Sequence, residues 1–368
     1  MGVGGHLLWR ETVMKARTKK IFLSALICFS VRGLLCPQEE LIPAEFLALF
    51  EKVELEELPP AEEYYVDDSP LHQILKMFDE EDYKRQKDFL EQKQKKIIRD
   101  AGGILLPQEK YAQGMIHDFI ARCLTVHGKE NLYKVLDDGE LYRLYVREEI
   151  KKRKLPPALE YLPVVESEYK ASAKSKSGAK GLWQFMENSM SPFLKKSNWF
   201  DERLDPWKST DAALSKLQDN YRMFGDWCLA IGAYNCGAGA MSRALKKAPV
   251  KSFWYLAEHK LIPEETILYV PKLLAITEIA GNPEEYKISL PIPNEKIRYL
   301  DFDYLTTQSQ FSLDWISSEL RIHSDTLRKL NPALFQGMTP PDSKYQLRIP
   351  SGMKQAATEV LGMFGENQ

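Results

Sequence analysis

The sequence predicts a mainly α-helical protein with a small α+β module near its C-terminus. Apolar residues recur at three- and four-residue steps in several segments between residues 71 and 280, which is the spacing of amphipathic helices. No alternating strand pattern occurs before residue 295. Pro283, Pro291 and Pro293 then break any helix, and strand-like runs follow. We therefore expect an all-helical domain around one cleft, followed by a small separate module.

The composition is that of a globular protein with room for two or three domains. Of its 368 residues, 44% are hydrophobic and 28% are charged. The 50 basic and 52 acidic side chains give a net charge of -2. This balance does not indicate nucleic acid as a partner, because nucleic-acid binding favours a basic surface.

Residues 1–36 are predicted to be a signal peptide or a membrane anchor. An apolar run over residues 21–31 is too short to span a bilayer comfortably but suits a signal-peptide core. Four basic residues precede it: Lys15, Arg17, Lys19 and Lys20. Met14 would be a more ordinary start than Met1, which would leave residues 1–13 upstream of the true start. Cys36 lies where a lipoprotein signal places its cysteine, but Leu35 is larger than the usual preceding residue, so lipidation, simple cleavage and retention as an anchor stay open.

The cysteines and histidines indicate neither a disulfide framework nor a metal site. Of five cysteines, Cys228 and Cys236 lie eight residues apart on one predicted helix, a rise of about 12 Å that prevents pairing. The six histidines are scattered, and no C-x-x-C or H-x-x-x-H spacing occurs. We predict no metal and no cofactor.

Residues 37–154 are predicted to form a polar, helical N-terminal region. Ser69-Pro70 suits a helix cap, and a charged helix with an apolar stripe is expected over residues 71–100, ended by Gly102-Gly103. Two more helices are expected over residues 108–126 and 138–152.

The next helix carries the candidate catalytic residue, Glu166. Pro156 and Pro157 suit a first helical turn, and the apolar spacing predicts a helix to about Tyr169, bent at Pro163. A carboxyl half-buried among apolar side chains resists ionisation and can act as a general acid near neutral pH. The alternative is a solvent-facing glutamate on an ordinary helix.

Three further helices are expected before the composition changes. Ser209 is the expected cap of a helix that ends at Phe224, and a buried helix should run from Trp227 to Tyr234. The last helix should begin at Pro263, with Tyr269 on its apolar face.

Three motifs indicate a family. The loop after Glu166-Ser167 has the pattern S-x-x-G-x-x-G-x-x-Q-x-M, whose fixed positions are Ser175, Gly178, Gly181, Gln184 and Met186. The others are Ala233-Tyr234-Asn235-Cys236-Gly237 and Glu265-Thr266 followed by Tyr269-Val270-Pro271-Lys272. In this order, over residues 155–280, they resemble the lytic transglycosylase family, whose fold is that of goose-type lysozyme. Three departures concern cleft detail: Glu187 replaces a common proline, Cys236 an alanine and Trp183 a smaller residue.

The resemblance implies a single-carboxylate reaction on peptidoglycan. It implies that Glu166 protonates the bridging oxygen between N-acetylmuramic acid and N-acetylglucosamine, and then deprotonates the sugar's 6-hydroxyl as a 1,6-anhydro ring closes. It also implies substrate-binding roles for Ser175, Gln184, Met186, Tyr234, Asn235 and Tyr269. Glycan strands would be the partner, the location would be periplasmic, and residues 37–154 would pack on a catalytic domain over residues 155–281.

Other carboxylates and other functions remain alternatives. Glu168 should point away from Glu166 as a surface group, and Asp201, Glu202 and Asp205 suit turn chemistry. A lysozyme-type hydrolase would need a second carboxylate to position water. A non-enzymatic peptidoglycan-binding protein is the third possibility, which the intact motif set disfavours.

Residues 295–352 resemble a LysM glycan-binding module. The expected order is a strand over 297–302, helices over 313–320 and 324–330, and a strand over 345–349. Leu330-Asn331-Pro332 and Leu347-Arg348-Ile349-Pro350 carry the resemblance. A small α+β domain that packs on the catalytic domain without binding sugar is the alternative. The proline-rich stretch before it predicts a boundary that few contacts cross, and residues 353–368 are expected to be a tail.

Overall fold

The computed structural model describes residues 79–92, 98–292, 302–341 and 343–365. The predicted signal peptide and the Ser69-Pro70 cap lie outside these residues. No helix in the described ranges has the length and apolar character needed to cross a membrane.

The described residues form thirteen α-helices and two short antiparallel sheets. Ten helices precede the C-terminal module: α1 Glu80–Gln92, α2 Lys110–Leu124, α3 Val126–Asp138, α4 Glu140–Lys152, α5 Leu162–Ser167, α6 Pro206–Phe224, α7 Trp227–Cys236, α8 Ala238–Lys247, α9 Phe253–Glu258 and α10 Glu264–Gly281. The module adds α11 Leu313–Glu319, α12 Ser324–Leu330 and α13 Lys354–Gly365. The sheets pair β1 Asp100–Ala101 with β2 Ile104–Leu105, and β3 Phe302–Thr307 with β4 Tyr345–Pro350. The mainly α fold class is therefore confirmed.

One hydrophobic core joins the N-terminal helices to the helices that follow. It includes buried residues from Leu90 to Ile288, and α2 packs lengthwise against α10. The helix expected over residues 71–100 does not reach residue 100, because Asp100–Ala101 is a strand and Gly102-Gly103 form the turn of a β-hairpin. The expected segments 71–78 and 93–97 lie outside the described residues. Both glycines have positive φ, a conformation that glycine adopts without strain. The helix α3, Val126–Asp138, was missed by the sequence analysis, which expected no helix over residues 127–137.

The helix that carries Glu166 is split rather than bent. Residues Pro157–Tyr161 form a 3₁₀ turn, and α5 begins afresh at Leu162 with Pro163 in its first turn. Proline is tolerated there because the first backbone N–H groups of a helix have no intrahelical partner. The helix ends at Ser167, two residues before the expected end at Tyr169, because Glu168 adopts a left-handed conformation.

The start of α6 was predicted too late. The helix begins at Pro206 instead of near Ser209, because the carboxylate of Asp205 accepts hydrogen bonds from the backbone N–H groups of Trp207 and Lys208. The predicted helices at Trp227 and Pro263 are confirmed as α7 and α10.

The C-terminal module has its own small core, which includes Leu313, Leu327 and Leu347. Its two helices and its second strand were predicted correctly. The first strand is described over Phe302–Thr307, and residues 297–301 of the expected strand lie outside the described residues. The expected tail contains α13, which buries Ala357 in the module core.

A buried ion pair joins the C-terminal module to the helical part. The sequence predicted that few contacts would cross the boundary between them, and this pair is a strong contact that does. Arg348 on β4 donates to both carboxylate oxygens of Asp205 at 2.6 and 3.0 Å, and the two residues are 1% and 0% exposed. The Arg348 guanidinium also lies 4.5 Å from the ring centroid of Trp207. Asp205 therefore caps α6 and neutralises Arg348 with the same carboxylate.

Replacing Arg348 with methionine should destabilise the protein strongly. Removing one partner of a buried pair leaves the Asp205 carboxylate uncompensated, which costs about 3–5 kcal/mol. The matched control is Arg328→Met, because Arg328 also donates two hydrogen bonds to one carboxylate, that of Asp314, on the exposed surface of the module. That change should cost only about 0–1 kcal/mol. Chemical denaturation measures both losses, and equal losses would contradict the structural role of the pair.

Candidate active site

Glu166 lies near the end of α5, and other side chains of this helix anchor the helix in the core. Leu162 and Val164 are fully buried, whereas Glu166 is partly accessible. The hydroxyl of Ser167 donates to the carbonyl oxygen of Leu182 at 2.8 Å, which attaches the end of the helix to the following loop. The side chain of Glu166 therefore reaches the surface from a rigid base.

The 3₁₀ turn before α5 is held by a buried carboxylate. Glu160 accepts hydrogen bonds from Arg143 at 3.1 Å and from Arg147 at 2.8 Å, both on α4. The hydroxyl of Tyr169 donates to the backbone oxygen of Glu160. These contacts connect the N-terminal region to the support of Glu166.

Burial raises the pKa of the Glu166 carboxyl from its usual 4.5 to about 7. The negative charge of Glu265 contributes to this rise, whereas the hydrogen bond from Tyr269 and the positive charges of Lys216 and Lys272 oppose it, and about 7 is the pKa that results. A carboxyl with a pKa near neutrality is protonated in a large fraction of the molecules and can give up that proton, which suits a general acid.

Tyr269 is the predicted site residue that contacts Glu166 directly. Its hydroxyl donates a hydrogen bond to Glu166 Oε1, and its side chain, on α10, is almost fully buried. This bond favours the ionised carboxylate. Tyr269 therefore positions one carboxyl oxygen and leaves the other for a reacting group.

Tyr234 lies in the wall beside this carboxyl. Its hydroxyl donates to the backbone oxygen of Trp183 at 2.8 Å, and its ring meets Phe185 edge to face. Lys216 of α6 lies 4.9 Å from the centroid of the Tyr234 ring. Burial and the charge of Glu166 both raise the pKa of the Tyr234 hydroxyl, which therefore stays protonated.

Asn235 connects the two helices that flank Glu166. Its amide nitrogen donates to Glu265 at 3.1 Å, and its amide oxygen accepts from Thr266 at 2.7 Å. Asn235 lies on α7 and its partners lie on α10. The predicted residue thus fixes the spacing of these helices on one side of the site.

Ser175 and Gln184 organise the loop that follows α5. The Ser175 hydroxyl accepts from the N–H of Ala179 at 3.0 Å. The Gln184 amide nitrogen donates to the carbonyl oxygens of Gly181 and Ala173. A Cβ at Gly181 would lie 1.7 Å from the backbone oxygen of Arg203, so the loop passes where only glycine fits. Neither polar side chain contacts Glu166.

Met186 follows this loop and is 37% exposed. It precedes the 3₁₀ turn Glu187–Ser189 and is accessible to a ligand. The roles of Ser175, Gln184 and Met186 toward a substrate remain predictions.

The other acidic candidates are occupied by structural contacts. Asp201 binds Arg203 and Lys180, Glu202 binds Lys208, and Asp205 binds Arg348. The prediction that Glu168 is a surface group was wrong. Its side chain is buried beside Lys170, because the left-handed turn at the end of α5 directs the chain back into the protein.

Three charged residues that shift the pKa of Glu166 had no role in the sequence-based prediction: Lys216, Glu265 and Lys272. Lys216 belongs to no motif, and its position over Tyr234 depends on how α6 packs on α7. Glu265 and Lys272 lie inside the third motif, and this membership was the signal available in the sequence. In the structure, Glu265 accepts a hydrogen bond from Asn235, a residue of the second motif.

The described cysteines form no disulfide. The three cysteines in the described ranges, Cys123, Cys228 and Cys236, are free thiols. Within those ranges there is no cluster of three or more histidine, cysteine, aspartate or glutamate side chains that could hold a metal ion.

Two protein-family models match the chain. The first is the transglycosylase SLT domain, over residues 144–257, and the second is the LysM-like domain of lytic transglycosylase MltD, over residues 301–362. The SLT match includes Glu166 and every predicted substrate-binding residue except Tyr269, which lies beyond the match on α10. The domain boundaries predicted at residues 155–281 and 295–352 remain predictions.

Curated relatives of this chain are also found. Membrane-bound lytic murein transglycosylase D of Escherichia coli, from strain K12 and from strain O6:H1, is 38% identical over 176 residues, which are 46% of this chain and 38% of that protein. The resemblance inferred from the motifs is thereby confirmed. The chain spans about two-fifths of the length of these relatives. Among solved structures, an inactive mutant of lytic transglycosylase Slt from Pseudomonas aeruginosa matches with 20% identity and a TM-score of 0.36, over 61% of this chain and 33% of that one.

Replacing Glu166 with glutamine should change how stability depends on pH. Because the pKa is higher in the folded protein than in the unfolded chain, the stability from this carboxyl is full below about pH 4.5 and is lost as the pH rises to about 7. The loss is at most about 3 kcal/mol. We expect Glu166→Gln to melt above the parent at pH 8 and close to it at pH 4.5. The exposed Glu264→Gln variant is the control, and a parent-to-variant difference that is the same at both pH values would contradict the raised pKa.

Proposed function

We propose that this protein is a peptidoglycan lytic transglycosylase. It cleaves the β-1,4 bond between N-acetylmuramic acid and N-acetylglucosamine and leaves a 1,6-anhydro-muramyl end. The observation that carries the proposal is the Glu166 carboxyl, which has a pKa of about 7, a hydrogen bond from Tyr269 and a place inside an SLT domain.

Glu166 serves first as acid and then as base. It gives its proton to the bridging oxygen as the glycosidic bond breaks, and the muramyl 2-acetamido group supports the developing cation. The resulting carboxylate is stabilised by the hydroxyl of Tyr269 and by the nearby charge of Lys216. It then takes the proton of the sugar's 6-hydroxyl, whose oxygen closes the anhydro ring. No water is consumed, and substrate assistance of this kind replaces the second carboxylate of ordinary glycosidases.

The loop residues have polar atoms that remain available for a glycan. Gln184 uses its amide nitrogen within the loop, and its amide oxygen has no partner among the described residues. Ser175 accepts a hydrogen bond, which leaves its own O–H to donate. Both atoms suit the acetamido and hydroxyl groups of amino sugars. Met186 contributes an exposed apolar contact, and Tyr234, Asn235 and Tyr269 close the site over the muramyl residue.

The position of the protein in the cell is part of the proposal. The basic and apolar pattern of residues 1–36 suits export to the periplasm, with membrane attachment through an uncleaved segment or a lipidated Cys36. Peptidoglycan strands are the proposed partner of the SLT domain and of the LysM-like domain. The curated relatives carry the description membrane-bound in their names.

A lysozyme-type hydrolase is the second candidate, and Glu265 is the observation that favours it. Its charge raises the pKa of Glu166, so a second carboxylate acts on the catalytic one. A hydrolase would use such a carboxylate to activate water. Glu265 is already bound to Asn235 on α7, which suits a structural role better.

Digestion of purified peptidoglycan sacculi distinguishes these candidates. We expect muropeptides with 1,6-anhydro ends, which are lighter by one water than hydrolysed products, and mass spectrometry measures the difference. Glu166→Gln should reduce turnover by at least ~100-fold while the protein stays folded and still binds glycan. Reducing-end products from the parent, or near-parental turnover of the variant, would refute the proposal.

Substitutions of the two charged neighbours should shift the pH profile in opposite directions. Lys216→Met removes a charge that lowers the pKa of Glu166, so the basic limb of kcat/KM should move to higher pH. Glu265→Gln removes a charge that raises this pKa, so the limb should move to lower pH. Lys216→Arg keeps the charge and serves as the control, with its limb near that of the parent. Shifts of the same sign for the first two variants would exclude electrostatic control of Glu166 by these residues.

A further inference from the structure

A pocket of about 520 Å³ lies apart from Glu166, between the end of α4, the 3₁₀ turn and the connection from α6 to α7. Leu155 and Pro156, both buried, form its apolar floor. Gln218 and Arg222 of α6 line it, whereas Lys216 of the same helix lies over Tyr234 in the candidate active site. Residues 216 and 218 point about 200° apart around a helix, so the two sites use different sides of α6.

One wall of the pocket is a stacked aromatic pair. The rings of Tyr221 and Trp227 lie 4.4 Å apart at an interplanar angle of 15°, on either side of the turn at Gly225. Tyr221 is 38% exposed, and Trp227 is also accessible. Stacking fixes both rings in place, so they offer a rigid apolar surface to a ligand at little entropic cost.

The rim of the pocket is cationic. Lys154 follows α4 in a left-handed conformation, and among the described residues its ammonium group has no hydrogen-bond or ion-pair partner. Arg222 shares its charge with Asp219 at 2.6 Å on the exposed surface.

A third cation at the rim, Arg153, is already compensated. It binds Asp211 at 2.7 Å and Glu149 at 3.3 Å. Lys154 is therefore the uncompensated charge of the pocket, and Arg222 is the second group that can turn toward an anion.

We propose that this pocket binds the peptide stem of peptidoglycan through its carboxylates. The site combines an apolar floor, a rigid aromatic wall, the amide of Gln218 and an unpaired cation, which match a short peptide with aliphatic side chains and several carboxylates. A neutral N-acetylglucosamine chain would leave Lys154 unpaired. The inference rests on the proposed function, because only a peptidoglycan enzyme meets this ligand at high local concentration.

Calorimetric titration of the full chain tests the proposal. The Glu166→Gln protein, which cannot turn over substrate, is titrated with the free stem tetrapeptide L-alanyl-D-glutamyl-meso-diaminopimelyl-D-alanine. Replacing both Lys154 and Arg222 with glutamine should weaken binding by at least ~10-fold, and binding should weaken as salt is added. The matched control is Lys151→Gln, an exposed charge on the same stretch of chain that does not line the pocket, and its binding should be unchanged.

Three results would overturn the inference. These are no binding of the tetrapeptide, equal affinity in the double variant and the parent, and tighter binding of the carboxylate-free sugar chitotetraose than of the tetrapeptide. The product masses from sacculi are measured separately with the parent protein. Anhydro products without tetrapeptide binding would refute the pocket alone, and tetrapeptide binding without anhydro products would refute the proposed reaction alone.

Discussion

Glu166 is carried by a helix of six residues, which is far too short to be stable in water by itself. Its position therefore depends on what holds that helix. Ser167 attaches the C-terminal end of the helix to the loop at Leu182, and Glu160 attaches the preceding turn to two arginines of α4. The N-terminal helices and the glycine-containing loop are thus required to keep one carboxyl in a site where burial raises its pKa. Removing a carboxyl from water costs free energy, and the packed helices around it supply the stability that offsets this cost.

The groups around Glu166 shift the pKa of its carboxyl in opposite directions. Burial and Glu265 favour the protonated carboxyl, whereas Tyr269, Lys216 and Lys272 favour the carboxylate. A residue that serves as acid and then as base needs both forms to be accessible at the same pH, and a balance of this kind provides them. The ion pair of Arg348 with Asp205 extends the same dependence to the C-terminal module, because Asp205 begins α6, and α6 carries Lys216 into the site.

Local patterns in the sequence were sufficient for most helices and for placing Glu166 near the end of a helix, because helix periodicity and motif spacing are short-range properties. They failed where distant residues decide the structure. The early start of α6 depends on a cap whose carboxylate also binds Arg348, more than a hundred residues later. Glu168 is buried because a left-handed turn redirects the chain, which its spacing from Glu166 did not reveal. Lys216 reaches the site only through the packing of α6, and no local pattern distinguishes it from a surface lysine.

Direct titration of the Glu166 carboxyl tests the central claim, which is that burial keeps this group protonated near neutral pH. The side-chain carboxyl ¹³C resonance of Glu166, assigned by its absence from the Glu166→Gln protein, can be followed by NMR from pH 3 to pH 9. We expect a midpoint at about pH 7. A midpoint near 4.5, the value of a free glutamate, would mean that the carboxyl is ionised at neutral pH and cannot be the general acid.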